Sequence, residues 1–455
     1  MDGFLLNVLS FILAIAILVA VHEWGHYIVA RMAGVKVLRF SIGFGRPLWT
    51  RKYGQDQTEF CISAIPIGGY VKLLDERDCA VTLSEQDRSF NRQPIPVKTA
   101  ILAAGPLLNF LFAIVAYWCM YMAGVPGLKP VIGEVEPDTV AARAGLRAGD
   151  TIRAVGGRDV ATWEGAVLEI LGQMLDEGAI ELAVTGDGQG QRLVVMNVAG
   201  RETELTEPGQ LFTGLGIAPW APVVPAVIDQ LTPDGPAQRA GLRSEDRVVA
   251  ADGEPIGSWT GWVEFIRERP ERLITATIIR EGRELQLDIL TNAVEENGTK
   301  IGRIGASVLI DEDLMQDMRA EQRYDPVAAI PVALAKTWDM TTLTVRMIAS
   351  MVTGGVSVRN ISGPINIAQF AGQSVSVGPI AFLGFLAIVS ISLGILNLLP
   401  IPMLDGGQIA YQLAEALKGS PLSERAQMFG QQMGILFLLL LMSFAFYNDL
   451  TRIFG

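Results

Sequence analysis

An apolar run without a single charge, GFLLNVLSFILAIAILVAV, covers residues 3–21 and passes without a break into VHEWGH. As a helix it is about 28 Å long at roughly 1.5 Å per residue, enough to cross a hydrocarbon core of roughly 30 Å. A secretory leader needs a basic start and a small-residue cleavage site. Here the run begins Met-Asp and no such site follows, so a retained span is expected. Three further runs have the same character: about 100–123, 379–399 and about 433–447, the last short unless extended at either end. Half of the 455 residues are hydrophobic, which fits a chain with much of its length in lipid.

Four spans put both termini on one side, and basic residues near the span ends set which side. Arg31, Lys36, Arg39, Arg46, Arg51, Lys52, Lys72, Arg77, Arg88, Arg92 and Lys98 lie between the first two runs, and none precedes the first. That segment is therefore expected to be cytoplasmic. Both termini and the long region between runs two and three are expected outside the cytoplasm. The net charge of −12 argues against nucleic acid as a partner. Cys61, Cys79 and Cys119 have neither metal spacing nor a disulfide pattern.

The region between runs two and three is duplicated. Residues 132–170 align without a gap to residues shifted by 96 positions. Pro137-Asp138 matches Pro233-Asp234, Ala144-Gly145-Leu146 matches Ala240-Gly241-Leu242, and Asp150, Gly157 and Trp163 match Asp246, Gly253 and Trp259. Two copies are too few for a solenoid and read as two small domains. Each has an AxxAGL turn followed by an alternating strand, which resembles the PDZ domain in its rearranged bacterial strand order. That resemblance implies binding of extended peptides or C-termini at a sheet edge, with Gly214-Leu215-Gly216-Ile217 and Gly302-Arg303-Ile304-Gly305 as candidate carboxylate loops. A spacer or size filter is the plain alternative. Beyond the repeat, 327–352 is moderately apolar but interrupted by Lys336, Asp339 and Arg346, which suits an amphipathic surface helix.

Only two histidines exist in the chain, and both lie in His22-Glu23-Trp24-Gly25-His26. Residues i and i+4 share a helix face, so His22 and His26 can direct imidazole nitrogens at one Zn²⁺. Glu23 lies beside that face as a candidate general base for the attacking water. Ionisable groups at a span are costly and usually functional. Zinc needs a third protein ligand and an open position. With no histidine left, a carboxylate must serve, and Asp405 in Asn397-Leu398-Leu399-Pro400-Ile401-Pro402-Met403-Leu404-Asp405-Gly406-Gly407 is the candidate. Pro400 and Pro402 unwind the end of the third run there, which is tolerated at membrane depth where the backbone lines a buried site.

HExxH in the first run and NxxPxPxLDG at the third resemble the site-2 protease family of intramembrane zinc metalloproteases, and the tandem repeat resembles its bacterial members. The resemblance covers nearly the whole chain. It implies zinc on His22, His26 and Asp405, Glu23 as base, and a metalloendopeptidase in the bacterial inner membrane with its active site near the cytoplasmic side. Its implied substrates are single-span membrane proteins, an anti-sigma factor or signal-peptide remnants. Ile67-Gly68-Gly69-Tyr70-Val71-Lys72 resembles the family's membrane-associated hairpin, so Gly68, Gly69 and Tyr70 are candidate substrate contacts. Asn397, with Pro400 and Pro402, is a candidate for holding substrate or the oxyanion, or for supporting the unwound turn. Gly105-Pro106-Leu107-Leu108-Asn109 resembles the family's second-span motif, with helix packing as its expected role.

The expected architecture is a polytopic α-helical membrane protein with two PDZ-like α+β domains inserted between spans two and three. Its parts are 1–123, the first two spans with the hairpin; 124–222 and 223–312, the two domains; 313–376, surface helices and connector; and 377–455, the last two spans. A rival from another class is a non-catalytic PDZ membrane adaptor, which predicts a damaged site, whereas every expected residue is present.

Overall fold

The computed structural model describes residues 2–78, 81–186, 190–296, 299–309, 316, 318–420 and 422–454. Cys79 and the expected domain boundary at 312 lie outside the described residues. Among those described, four helices are long and apolar enough to cross a membrane: Gly3–Met32, Ile95–Ala123, Pro379–Leu398 and Arg425–Ile453. They are called spans one to four below. Large apolar side chains such as Phe4, Leu13, Leu111, Leu439 and Leu440 remain exposed on their outer faces, as a lipid-facing surface requires.

Span four is longer than its apolar run, a helix over Glu424–Phe454. Its polar end is used. The Asn448 amide donates to the carbonyls of Val358 and Ile361 at 3.0 and 3.1 Å. The buried Asp449 carboxylate accepts from the backbone N–H groups of Gly363, Ile365 and Asn366 at 2.9, 2.9 and 3.1 Å. It thereby caps the helix Pro364–Val377 from another element, satisfying N–H groups that the helix leaves unpaired and meeting the positive end of its dipole. A Cβ at Gly363 would strike that carboxylate.

Spans two and three pack through glycine. A Cβ at Gly394 would meet the Phe110 ring and the Pro106 carbonyl at 3.1–3.3 Å, so the missing side chain is what admits the neighbour. Between spans one and two, strands Val37–Tyr53 and Thr58–Leu73 pair antiparallel, and the second folds back on the first. Phe40 is paired with Phe60 on one side and Val71 on the other. The 69–73 segment is therefore an outer strand of this small sheet. Arg88 anchors the hairpin turn through a bidentate pair with Asp56 at 2.7 and 2.8 Å, which holds that carboxyl below its usual range.

The extramembrane region holds two four-stranded sheets of the same order. Strands Thr151–Val155, Arg158–Asp159, Ala179–Thr185 and Gln191–Asn197 make the first, and Arg247–Ala251, Glu254–Pro255, Leu273–Arg280 and Arg283–Leu290 the second. The 96-position shift carries the first two strands and the start of the following helix of one unit onto those of the other. Each sheet packs its helix, Trp163–Glu177 or Trp259–Arg267, over a separate apolar core. In both units a buried Asp in the turn before the first strand pairs with an Arg further on, Asp150 with Arg192 at the start of the fourth strand and Asp246 with Arg280 at the end of the third. The connector is helical at Ala329–Thr353 and Pro364–Val377, broken by the Gly-rich stretch between.

Replacing Asp449 by Ala leaves the buried N–H of Gly363 and the part-buried N–H groups of Ile365 and Asn366 without that acceptor, and a buried one costs about 1–3 kcal/mol when unsatisfied. Thermal unfolding of the purified protein in detergent is expected to show a loss of about 2–4 kcal/mol, with Asp449→Asn losing less. Equal melting of all three proteins would show that the cap contributes nothing.

Candidate active site

The helix Asp2–Met32 carries the HEWGH segment inside its second half, so the apolar run and the motif form one continuous element. Helical spacing sets His22 and His26 one turn apart, with their Nε2 atoms 3.2 Å from each other. Both rings turn toward span two, and two glycines let that span come close. A Cβ at Gly25 would collide with the Ala104 carbonyl, and a Cβ at Gly105 would collide with both imidazole rings. His26 Nδ1 lies 2.8 Å from the Ile101 carbonyl. A carbonyl only accepts, so Nδ1 carries the proton and Nε2 keeps its lone pair.

Asp405 is the first residue of the helix Asp405–Lys418, which follows span three after a short loop. The loop is compressed onto the helix start. A Cβ at Gly406 would meet the carbonyls of Leu398 and Leu399, one at Gly407 the carbonyl of Ile401, and Met403 adopts φ +96. That fold brings Asp405 Oδ2 to 3.2 Å from His22 Nε2 and 3.4 Å from His26 Nε2. All three side chains are mostly buried, at 11–14% exposure. Among the described residues these three form the one group of His, Cys, Asp or Glu side chains whose ligand atoms converge, within 4.8 Å of one another.

The donor set fits a divalent cation. Two imidazoles and a carboxylate are zinc-type ligands that leave a fourth position free. Asp405 Oδ2 is buried and accepts no hydrogen bond of its own, a costly state for a carboxylate oxygen unless a cation meets it. Three electron-rich atoms crowded together repel until a positive charge lies among them.

Glu23 faces the hairpin's outer strand. Its carboxylate lies beside the Val71 backbone. A Cβ at Gly69 would lie 3.3 Å from Glu23 Cγ and would collide with the Val19 side chain and the Ser41 carbonyl. Gly68 has φ +93 and is covered by the Phe44 ring, which stacks parallel to Tyr70 at 6.1 Å. Tyr70 accepts a hydrogen bond from Arg39 at 3.3 Å. Asn397 is half-buried one turn before the compressed loop, and Pro402 packs against Gly434 of span four. Pro400 is exposed.

The sequence points to packing as the role of the segment that holds Asn109. In the structure its side chain lies 3.2 Å from His22 Nδ1, fully buried. The available signal was an amide inside an apolar span. The Ile101 carbonyl and the Val71 amide have no signature in the sequence, because every residue offers the same backbone groups.

A polytopic membrane protein with buried histidines and a carboxylate converging between its spans has the makings of a membrane metallopeptidase. The comparisons with known proteins agree. The model for peptidase family M50 matches residues 10–441. The regulator of sigma E protease of Salmonella typhi is 40% identical over the full length of both chains. RseP of Escherichia coli K12, also named a regulator of sigma-E protease, is 39% identical over both full lengths. A protein of Neisseria meningitidis serogroup A, whose name assigns it provisionally to the zinc metalloproteases, is 42% identical over 99% of this chain and all of its own. The chain belongs to peptidase family M50, and it is a protease.

Replacing Gly105 by Ala puts a methyl group into the space of both imidazoles. The variant is expected to retain less than about a tenth of the parent's zinc after dialysis, a loss typical of displaced ligands, measured by elemental analysis. Gly3→Ala, which meets nothing, is expected to match the parent. Full zinc content in Gly105→Ala would show that the rings tolerate displacement.

Proposed function

We propose that this protein is an intramembrane zinc endopeptidase of the site-2 type, in which His22, His26 and Asp405 hold the metal and Glu23 is the general base. The observation that carries the reading is the convergence of these three side chains between apolar spans, with Glu23 on the same helix and beside an outer strand. When bound, zinc supplies Lewis acidity toward a water and the scissile carbonyl. Glu23 takes the proton of the attacking water and passes it to the leaving amide nitrogen, so the peptide bond breaks with no net change at the carboxylate.

A transmembrane helix hides its carbonyls in its own hydrogen bonds, so a substrate must be extended before attack. The outer strand 69–73, with Gly68, Gly69 and Tyr70, offers backbone groups for that extension by strand addition. Asn397, beside Pro400 and Pro402, makes no hydrogen bond among the described residues, so its amide is free for substrate or the oxyanion. Single-span membrane proteins are the substrate class that this arrangement fits. The sigma-E regulators among its relatives point to an anti-sigma factor, with signal-peptide remnants as a second source.

The basic residues between spans one and two favour a cytoplasmic hairpin and an active site near that side of a bacterial inner membrane, with both termini and the tandem domains periplasmic. We read those domains as PDZ-like. In the second, Leu231, Trp259, Val263, Ile266 and Ile304 line a groove of about 580 Å³ beside Gly302-Arg303-Ile304-Gly305, suited to a peptide C-terminus. In the first, Phe212 packs edge-on against Trp163 at 5.4 Å and Thr139 fills the space beside Gly216. That favours the second domain as the peptide binder and the first as a spacer.

The test is cleavage of a single-span substrate by the full-length protein in proteoliposomes. Glu23→Gln is expected to keep its zinc and lose activity by about 10²–10⁴-fold, the usual worth of a general base. Equal cleavage by parent and variant would remove Glu23 from the mechanism.

A further inference from the structure

Asn109 is fully buried in the apolar span two, and an amide in such a place needs a reason. Its side chain meets one polar group, His22 Nδ1, at 3.2 Å. The other end of the amide has no partner, as Oδ1 is buried without a hydrogen bond. Its backbone carbonyl accepts from Ser390 Oγ at 2.9 Å, tying Asn109 to span three, which leads into the loop bearing Asp405. One residue of span two thus links the helix that carries the histidines to the span that leads into Asp405.

The two ends of a primary amide are nearly isosteric, and each dictates a different imidazole. With the NH₂ group toward His22, Nδ1 must be the acceptor and the ring proton sits on Nε2. That proton would point at Asp405 and His26, where a cation is expected, and would block coordination. Turned end for end, the amide presents its carbonyl oxygen, which only accepts. The ring proton then sits on Nδ1, and the Nε2 lone pair faces Asp405 and His26. His26 is already held that way, since Nδ1 can only donate to the Ile101 carbonyl at 2.8 Å. The hydrogen-bond count does not separate the two orientations of Asn109, because each leaves one end of the amide over. The ligand set does.

We infer that Asn109 is a positioning residue for the metal centre: its side-chain carbonyl accepts the His22 Nδ1–H and fixes the tautomer and ring plane that aim Nε2 at the metal. Span two then supplies both outer acceptors, a backbone carbonyl for His26 and a side-chain carbonyl for His22. A backbone carbonyl cannot serve both, because successive carbonyls of one helix point along its axis while the two rings are a full turn apart. The inference rests on the proposed metal ligands and goes beyond them.

The experiment measures zinc affinity by competition with a chromophoric chelator on the full-length protein in detergent. It compares the parent with His22→Ala, Asn109→Leu and Asn109→Asp, and records the melting temperature of each in its metal-free form. Asn109→Leu, of similar size but without an acceptor, is expected to bind zinc about 10–100-fold more weakly, the usual cost of losing an outer partner of a ligating imidazole. Its metal-free melting temperature should stay with the parent's. Asn109→Asp keeps an acceptor oxygen and is expected to recover the affinity to within about threefold. Parent-like affinity in Asn109→Leu overturns the inference, as does equal loss in the Leu and Asp variants, which would indicate shape alone. A parent that binds zinc no better than His22→Ala overturns the metal reading itself, and this inference with it.

Discussion

The close approach of spans one and two is the constraint on which the rest of the site depends. Helices in lipid gain little from hiding apolar surface from one another, so contact depth is set by small residues. Gly25 and Gly105 lie where the backbones meet, and neither position has room for even a methyl group. At an ordinary helix separation the His26 ring would lose the Ile101 carbonyl and His22 would lose Asn109. The histidine pair is therefore held in place because one span is pressed against the other. On the proposed reading, that fixed pair is met by a third ligand delivered from far along the sequence.

Delivering that ligand is a backbone problem. A carboxylate carried in the middle of a span would be buried without partners, at high cost. Here the chain leaves span three at Leu398, turns through two prolines and a strained Met403, and starts a new helix with Asp405. The first turn of a helix is where a carboxylate is most comfortable, because the dipole and free N–H groups oppose its charge. Gly406 and Gly407 allow the loop to fold directly over that turn. The same device recurs at the other end of the molecule, where Asp449 caps Pro364–Val377 from outside. At Asp449 the buried carboxylate is satisfied by a helix start, whereas Asp405 Oδ2 is left without a hydrogen bond.

How much of this is legible in the sequence divides along physical lines. Three of the four spans can be read directly, because water-soluble folds seldom need an apolar run of membrane length, and each run forms a helix, lengthened in the first two and ending at Leu398 in the third. The fourth reads as a short span that needs extension at either end, because Asn448 and Asp449 break its hydropathy, and the helix does extend past them. Only a tertiary partner makes those residues acceptable, and partners are invisible to a hydropathy window. The His22–His26 pair is legible from helical periodicity. The repeat is legible as a shift of 96 positions that survives in the strand boundaries. What escapes is everything made by backbone atoms or by close approach: the Ile101 carbonyl, the Val71 amide, the collisions that Gly25 and Gly105 avoid. Asn109 lies between these cases. An amide in an apolar span announces a function without saying which, and the answer required the distance to His22.

The strand beside Glu23 joins two requirements that conflict elsewhere. Unpaired strand edges are hazards in water and forbidden in lipid unless something covers them. This one lies against span one, its backbone close enough that Gly69 can carry no side chain, with Val71 beside the Glu23 carboxylate. An edge that is sheltered yet incompletely paired is stable without a partner and still able to accept one. On the proposed mechanism an arriving substrate segment would pair along 69–73 and pass the group that deprotonates the water. Recognition of an extended backbone and activation of the nucleophile would then take place side by side. A helical segment, with no free backbone groups to offer that edge, would reach the site without engaging it. Selectivity for unwound substrate would follow from the geometry of the strand, with no further residue needed to enforce it.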